Sequence, residues 1–86
     1  MVESVRFFRY ESGKKVEESQ FLGYEQTNTV PMKGDIVSLR KIFCVDGKLM
    51  KKITSGEVYF RKFTSDQGWY LSLWGVSTTE EEVKPL

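Results

Sequence analysis

Apolar and polar side chains alternate with a period of two over most of this chain, which predicts strands rather than helices. In "VESVRFFRYE" (2–11), Val5 and Phe7 fall on one face and Arg6, Phe8 and Tyr10 on the other. "SGKK" (12–15) reads as a turn. "VEESQFLGYEQT" (16–27) sets helix-tolerant Glu17, Glu18 and Gln20 against Gly23 and β-prone flanks, and reads as a second strand. Pro31 biases Val30 toward extended backbone and Lys33-Gly34-Asp35 supplies a turn, so 28–35 is a loop.

"IVSLRKIFCV" (36–45) is a strand that runs directly into Asp46-Gly47. Asp-Gly between β-prone runs predicts a two-residue hairpin, because both turn positions need φ > 0. That hairpin pairs Val45 with Lys48, Phe43 with Met50 and Ile42 with Lys51. Ser55-Gly56 predicts a break, and a final hairpin follows over 57–64 and 69–76 around "SDQG". Five or six short antiparallel strands with turns every ~8–12 residues describe an all-β, single-domain SH3-like or OB-like barrel over residues 1–76. In the remainder, "STTEEEVKPL" (77–86), Thr78-x-x-Glu81 has the form of a capping box. No periodic apolar run follows it and Pro85 lies near the end, so a frayed acidic tail is expected.

The final hairpin, "EVYFRKFTSDQGWYLSLWGV", holds six of the twelve aromatic residues in twenty positions. With a four-residue loop, Thr64 pairs with Trp69. One face then carries Val58, Phe60, Trp69, Leu71 and Leu73, an ordinary core face. The other gathers Tyr59, Phe63, Tyr70 and Trp74 around Arg61. A three-residue loop shifts the pairing by one and changes which partners meet, leaving both faces apolar-rich. Something must therefore cover the second face. The N-terminal aromatics Phe7, Phe8, Phe21 and Tyr24 are one cover; a partner molecule is the other.

Length sharpens that choice. At 86 residues the core is thin, and large side chains carry much of it. The chain contains no alanine, the strongest helix former, which agrees with the strand reading. Net charge is +1, but residues 36–75 set Arg40, Lys41, Lys48, Lys51, Lys52, Arg61 and Lys62 against three acids, while Glu80, Glu81 and Glu82 make the end acidic. A mildly basic middle permits nucleic-acid binding without requiring it. Cys44 is the only cysteine, so no intrachain disulfide is expected; inside an apolar strand it reads as a buried structural thiol. The N-terminus lacks a signal-peptide pattern and no apolar run approaches membrane-span length, so a soluble cytoplasmic protein is expected.

Catalytic chemistry finds little support. Histidine, the commonest general base and metal ligand, is absent. Asp35, Asp46 and Asp66 all lie at or near turn glycines, which turn chemistry explains. Glycines 34, 47 and 56 are isolated and form no phosphate-cradling loop. The expectation is a non-enzymatic protein with no cofactor, no metal and no small-molecule substrate.

"VPMKGDIVSLRKIFCV" has the form Pro-x-x-Gly-Asp-x-Val-x-Leu, through Pro31, Gly34, Asp35, Val37 and Leu39. It resembles the loop that leads into a strand of small SH3-like barrels in uncharacterised bacterial and phage proteins. That resemblance implies a barrel and a mobile-element origin, and assigns no site residue. The function expected first is recognition of a protein partner, self-association included, through Tyr59, Arg61, Phe63, Tyr70 and Trp74; tyrosine, tryptophan and arginine dominate interface hot spots. A phage origin would make it an inhibitor or adaptor. The alternative is single-stranded nucleic-acid binding, with bases stacked on those aromatics and Lys48, Lys51, Lys52 and Lys62 forming a phosphate rim.

Overall fold

A computed structural model describes residues 2–11 and 20–84. The turn expected at 12–15, the start of the second expected strand (16–19) and the last two positions of the expected tail lie outside the described residues. The protein is all-β. Its strands are β1 (Glu3–Arg9), β2 (Phe21–Thr27), β3 (Ile36–Val45), β4 (Lys48–Thr64) and β5 (Gly68–Glu82). They form one sheet in the order β2-β1-β5-β4-β3, rolled into a nearly closed barrel. The two edges, β2 and β3, meet without a backbone ladder; a Cβ added at Gly23 would sit 3.5 Å from Leu39 Cδ1.

The sheet is mixed rather than wholly antiparallel, because β1 runs parallel to β5, with Val5 opposite Trp69 and Phe7 opposite Leu71. Strand alternation then decides the core. Val5 and Phe7 turn inward to meet Val58, Leu71, Leu73 and Val37, with Leu22, Val30, Leu39, Trp69 and Val76 packed against them. Burying one such aliphatic side chain contributes roughly 1.5–3 kcal/mol, so this small cluster is the main source of stability.

The β3–β4 hairpin follows the sequence pattern. Val45 pairs with Lys48, Phe43 with Met50 and Ile42 with Lys51. Asp46 (φ 50°) and Gly47 (φ 75°) both occupy the left-handed region. The loop before β3 is stitched down from both sides. The Asp35 carboxylate accepts the Met32 N–H at 2.8 Å. Gly34 N–H donates to Val58 O, and Val58 N–H to Asp35 O, both at 2.9 Å.

Three further expectations need correction. Ser55-Gly56 does not end a strand: β4 runs through it with a bulge between Ser55 and Glu57. Glycine there admits close neighbours, since an added Cβ would lie 3.0 Å from Leu73 Cβ. Residues 77–82 are not frayed; they continue β5 against β4, with Lys52 opposite Glu80 and Lys51 opposite Glu81. Lys51 Nζ lies 2.9 Å from Glu81 Oε1, so a basic strand holds the acidic one in register. Cys44 is exposed rather than buried, because the distal part of the β3–β4 hairpin extends past the core. The radius of gyration is accordingly 14.3 Å, against roughly 12 Å for a compact chain of this length.

Candidate functional site

The β4–β5 turn fixes which aromatics share a face. Its loop has three residues, Ser65 to Gln67, and Thr64 pairs with Gly68. Gly68 takes φ 79°, the left-handed position that closes such a turn. Phe63 therefore faces Trp69, Arg61 faces Leu71 and Phe60 faces Ser72. A second bulge between Val58 and Phe60 returns Val58 to Leu73 and the core. The four-residue pairing is thus replaced, and with it the expected grouping of five residues.

Arg61 and Phe63 leave the group. They lie on the face of Trp69 and Leu71, at one end of the barrel. The Arg61 guanidinium sits 4.5 Å from the Trp69 ring centre, a cation–π contact. It also donates to Pro31 O at 3.1 Å, tying the 28–35 loop to β4. Phe63 and Trp69 pack with ring centres 5.2 Å apart. The geometry makes Arg61 a structural tether.

Tyr59, Tyr70 and Trp74 remain on the outer face, joined by Phe60, which alternation now turns outward. The N-terminal strand supplies the rest. Parallel pairing of β1 with β5 sets Arg6 opposite Tyr70 and Phe8 opposite Ser72. Phe8 stacks on Tyr70 at 4.4 Å, and Phe21 meets Phe8 edge-on at 5.4 Å. Tyr10 stacks on Tyr59 at 4.2 Å and leans on Trp74 at 5.9 Å. So β1 and β2 cover one half of this face, and the other half stays open. Tyr59, Phe60 and Trp74 keep 45%, 50% and 47% of their surface in solvent.

A groove of about 590 Å³ runs between these halves, with Tyr10, Tyr59, Phe60 and Tyr70 along it and Arg6 and Lys62 at its margin. Lys33 places its ammonium 5.8 Å from the Tyr59 ring centre. The Arg6 guanidinium is held by the Gln67 side-chain carbonyl across the turn. The hydrogen bond between the Tyr10 and Tyr59 side chains, aided by burial, holds the Tyr10 hydroxyl above its ordinary pKa. The groove is thus apolar and aromatic with a cationic margin.

Of the expected phosphate rim, Lys62 alone lines the groove. Lys48, Lys51 and Lys52 lie on the distal hairpin, where Lys51 pairs with Glu81. Arg6, Tyr10, Phe60 and Gln67 escaped sequence reasoning. Arg6 and Tyr10 reach the groove through a strand pairing more than fifty residues distant, and Phe60 through a bulge. The shared outward parity of Arg6, Phe8 and Tyr10 was the usable signal. Among the described residues, no three His, Cys, Asp or Glu side chains come together as a metal-ligand group. No family model matches the chain, and neither a curated protein nor a solved structure matches it.

Proposed function

We propose that this protein is a non-enzymatic recognition domain, an SH3-like or OB-like barrel that docks a segment of a protein partner in the outer groove. One observation carries the reading. After β1 and β2 have covered their share of the outer face, Tyr59, Phe60 and Trp74 still lie half exposed beside a groove of about 590 Å³. Aromatic anchors around a concave, apolar surface are the usual composition of an interaction hot spot. Arg6, Lys33 and Lys62 at the margin favour a segment with an apolar anchor and acidic flanks. The inhibitor or adaptor role suggested by the phage-like sequence segment is compatible with such a groove.

Selection from a random peptide display library tests this. Wild-type protein is expected to enrich acidic-flanked aromatic or aliphatic peptides that bind at micromolar strength and shift the amides of Tyr10, Tyr59, Phe60 and Trp74. Phe60→Ser, on an exposed side chain, should weaken them at least about tenfold, since hot-spot truncation removes more than ~1.4 kcal/mol. No enrichment, or peptides that bind the variant equally well, would refute the reading.

A further inference from the structure

A second concavity, of about 540 Å³, occupies the seam where β2 and β3 fail to pair. Its charge is one-sided. Arg9 at the end of β1, Arg40 and Lys41 on β3 and Lys52 on β4 line it, against Glu25 as the single carboxylate among the described residues. None of the four cations has an ion pair with another described residue. Lys41 and Lys52 stand directly opposite each other in the β3–β4 ladder, a like-charge pairing that destabilises a sheet. Glu80 faces Lys52 from the other side, which leaves Lys41 and both arginines uncompensated.

Edge protection explains lysine and arginine on β3, since charges blunt an unpaired strand. It does not explain why Lys52, on a central strand with Glu80 opposite it on β5, also faces Lys41 on β3 at the cleft. Four cationic residues lining one cleft fit a polyanion, and the cleft's volume lies within the ~300–1,000 Å³ of small-ligand sites. The β2 wall adds Phe21 and Tyr24, 45% and 51% exposed; Phe21 meets Phe8 at 64° and Tyr24 is held through its hydroxyl by Ser4 and Gln26, which leaves part of each ring to a planar group. Cations for phosphate beside aromatics for a base are the two requirements of a nucleotide.

We infer that the β2–β3 seam binds a nucleotide, free or as a unit of a single strand. Its phosphates lie on Arg9, Arg40, Lys41 and Lys52, and its base against Phe21 and Tyr24. This site lies apart from the outer groove and does not depend on the reading given there. The bound anion ties β1 and β2 to β3 and β4 across the open seam, so binding also stabilises the barrel by mass action.

The test titrates the full chain with ATP, with a twelve-nucleotide oligothymidine and with polyglutamate, followed by amide shifts and by calorimetry. Shifts are expected at Arg9, Gly23, Tyr24, Lys41, Lys52 and Thr54. With about four phosphate contacts on a single strand, log K should fall with log salt at a slope near −3, roughly fifty-fold between about 50 and 200 mM. In K41Q/K52Q the slope should fall to about −1.5 and low-salt affinity at least about tenfold, with thermal stability kept because relief of the Lys41–Lys52 repulsion offsets the lost Lys52–Glu80 pairing. Arg9→Gln, at a strand end, is the second variant should that pair fail to fold. A strand that binds far tighter than ATP identifies nucleic acid as the source; equal affinity identifies the free nucleotide. No binding of either at low salt, polyglutamate binding as tightly as the strand, or shifts confined to the outer groove would overturn the inference. Phe60→Ser should leave nucleotide binding unchanged, so failure at one site is separable from failure at the other.

Discussion

Substituting Gly68 by alanine probes the joint on which the barrel depends. Gly68 opens β5 at φ 79°, and a Cβ there would lie 2.6 Å from the Ser4 backbone oxygen and 3.2 Å from Ser4 Cβ. Ser4 precedes Val5, which pairs with Trp69 and is completely buried. Relief of the clash therefore moves β1 away from β5 at the point where the parallel pairing begins. Two costs add: about 1–2 kcal/mol for a side chain in the left-handed region, and about 1–3 kcal/mol for forcing backbone apart in a packed region.

Gly47 supplies the control. It has nearly the same φ, 75°, but nothing lies within 4 Å of an added Cβ. Gly47→Ala thus bears the conformational cost alone. Urea unfolding should show Gly47→Ala destabilised by about 1–2 kcal/mol and Gly68→Ala by about 3–4 kcal/mol. On a domain of this size each kcal/mol lowers Tm by about 4–8 °C, so the gap between the variants is readily measured. Equal destabilisation would refute the close approach of β1 to the turn, and with it the parallel pairing that carries Arg6 and Tyr10 to the groove.

Two further outcomes follow from the same geometry. Hydrogen exchange should divide the molecule: amides of Val5, Phe7, Val58, Leu71 and Leu73 are expected near the global unfolding free energy, those of Ile42 to Met50 lower by about 2 kcal/mol or more, because none of the buried residues among those described backs the distal hairpin; uniform protection at all protein concentrations would contradict this, whereas protection that rises with concentration would mark a second copy covering the hairpin. In an alkaline absorbance titration, Tyr24 should ionise below the ordinary tyrosine pKa, since Ser4 and then Gln26 donate to its oxygen, and Tyr10 above it. The signs differ for stability: the Tyr10 contribution is present below pH ~10 and lost as pH rises through its raised pKa, while that of Tyr24 exists above pH ~10 and is lost as pH falls through its lowered pKa. Tyr24→Phe should remove an ionisation below the ordinary tyrosine value and Tyr10→Phe one above it; the reverse would refute the assignment.

Local signals were legible in the sequence and long-range ones were not. Asp46-Gly47 specified its hairpin and register, because a two-residue turn with positive φ leaves one pairing open to it. The outward set Arg6, Phe8 and Tyr10 followed from alternation alone. The second hairpin was ambiguous for a physical reason: large side chains at both parities of 57–64 and 69–76 make either loop length look acceptable, so one residue of register moved Arg61 and Phe63 off the aromatic face. The parallel β1–β5 contact left no local trace. The acids of 80–82 misled because their counter-charges, Lys51 and Lys52, lie about thirty residues earlier on a strand whose partner was unknown.

The two longest strands are each left partly unpaired, on opposite edges. β3 starts at Ile36 opposite Glu57, so among the described residues the outer edge of β4 beyond Val58 has no strand partner; β1 stops at Arg9 opposite Leu73, so the outer edge of β5 beyond Gly75 has none among them either. Unpaired edges invite association unless charge or a covering loop blocks them. On β4 the Pro31 loop does so, anchored by Arg61; on β5 the glutamates do so, one of them paired to Lys51. Arg61, Lys51 and Glu80–Glu82 are thereby accounted for by the fold. The half-exposed Tyr59, Phe60 and Trp74 are not, for they lie on a sheet face rather than along an edge. Neither is the Lys41–Lys52 pairing, which sets two like charges directly opposite each other in the ladder. A chain with so thin a core gains no stability from leaving three aromatics open or from opposing like charges at its seam. Those two departures from what the fold requires are where binding is to be sought.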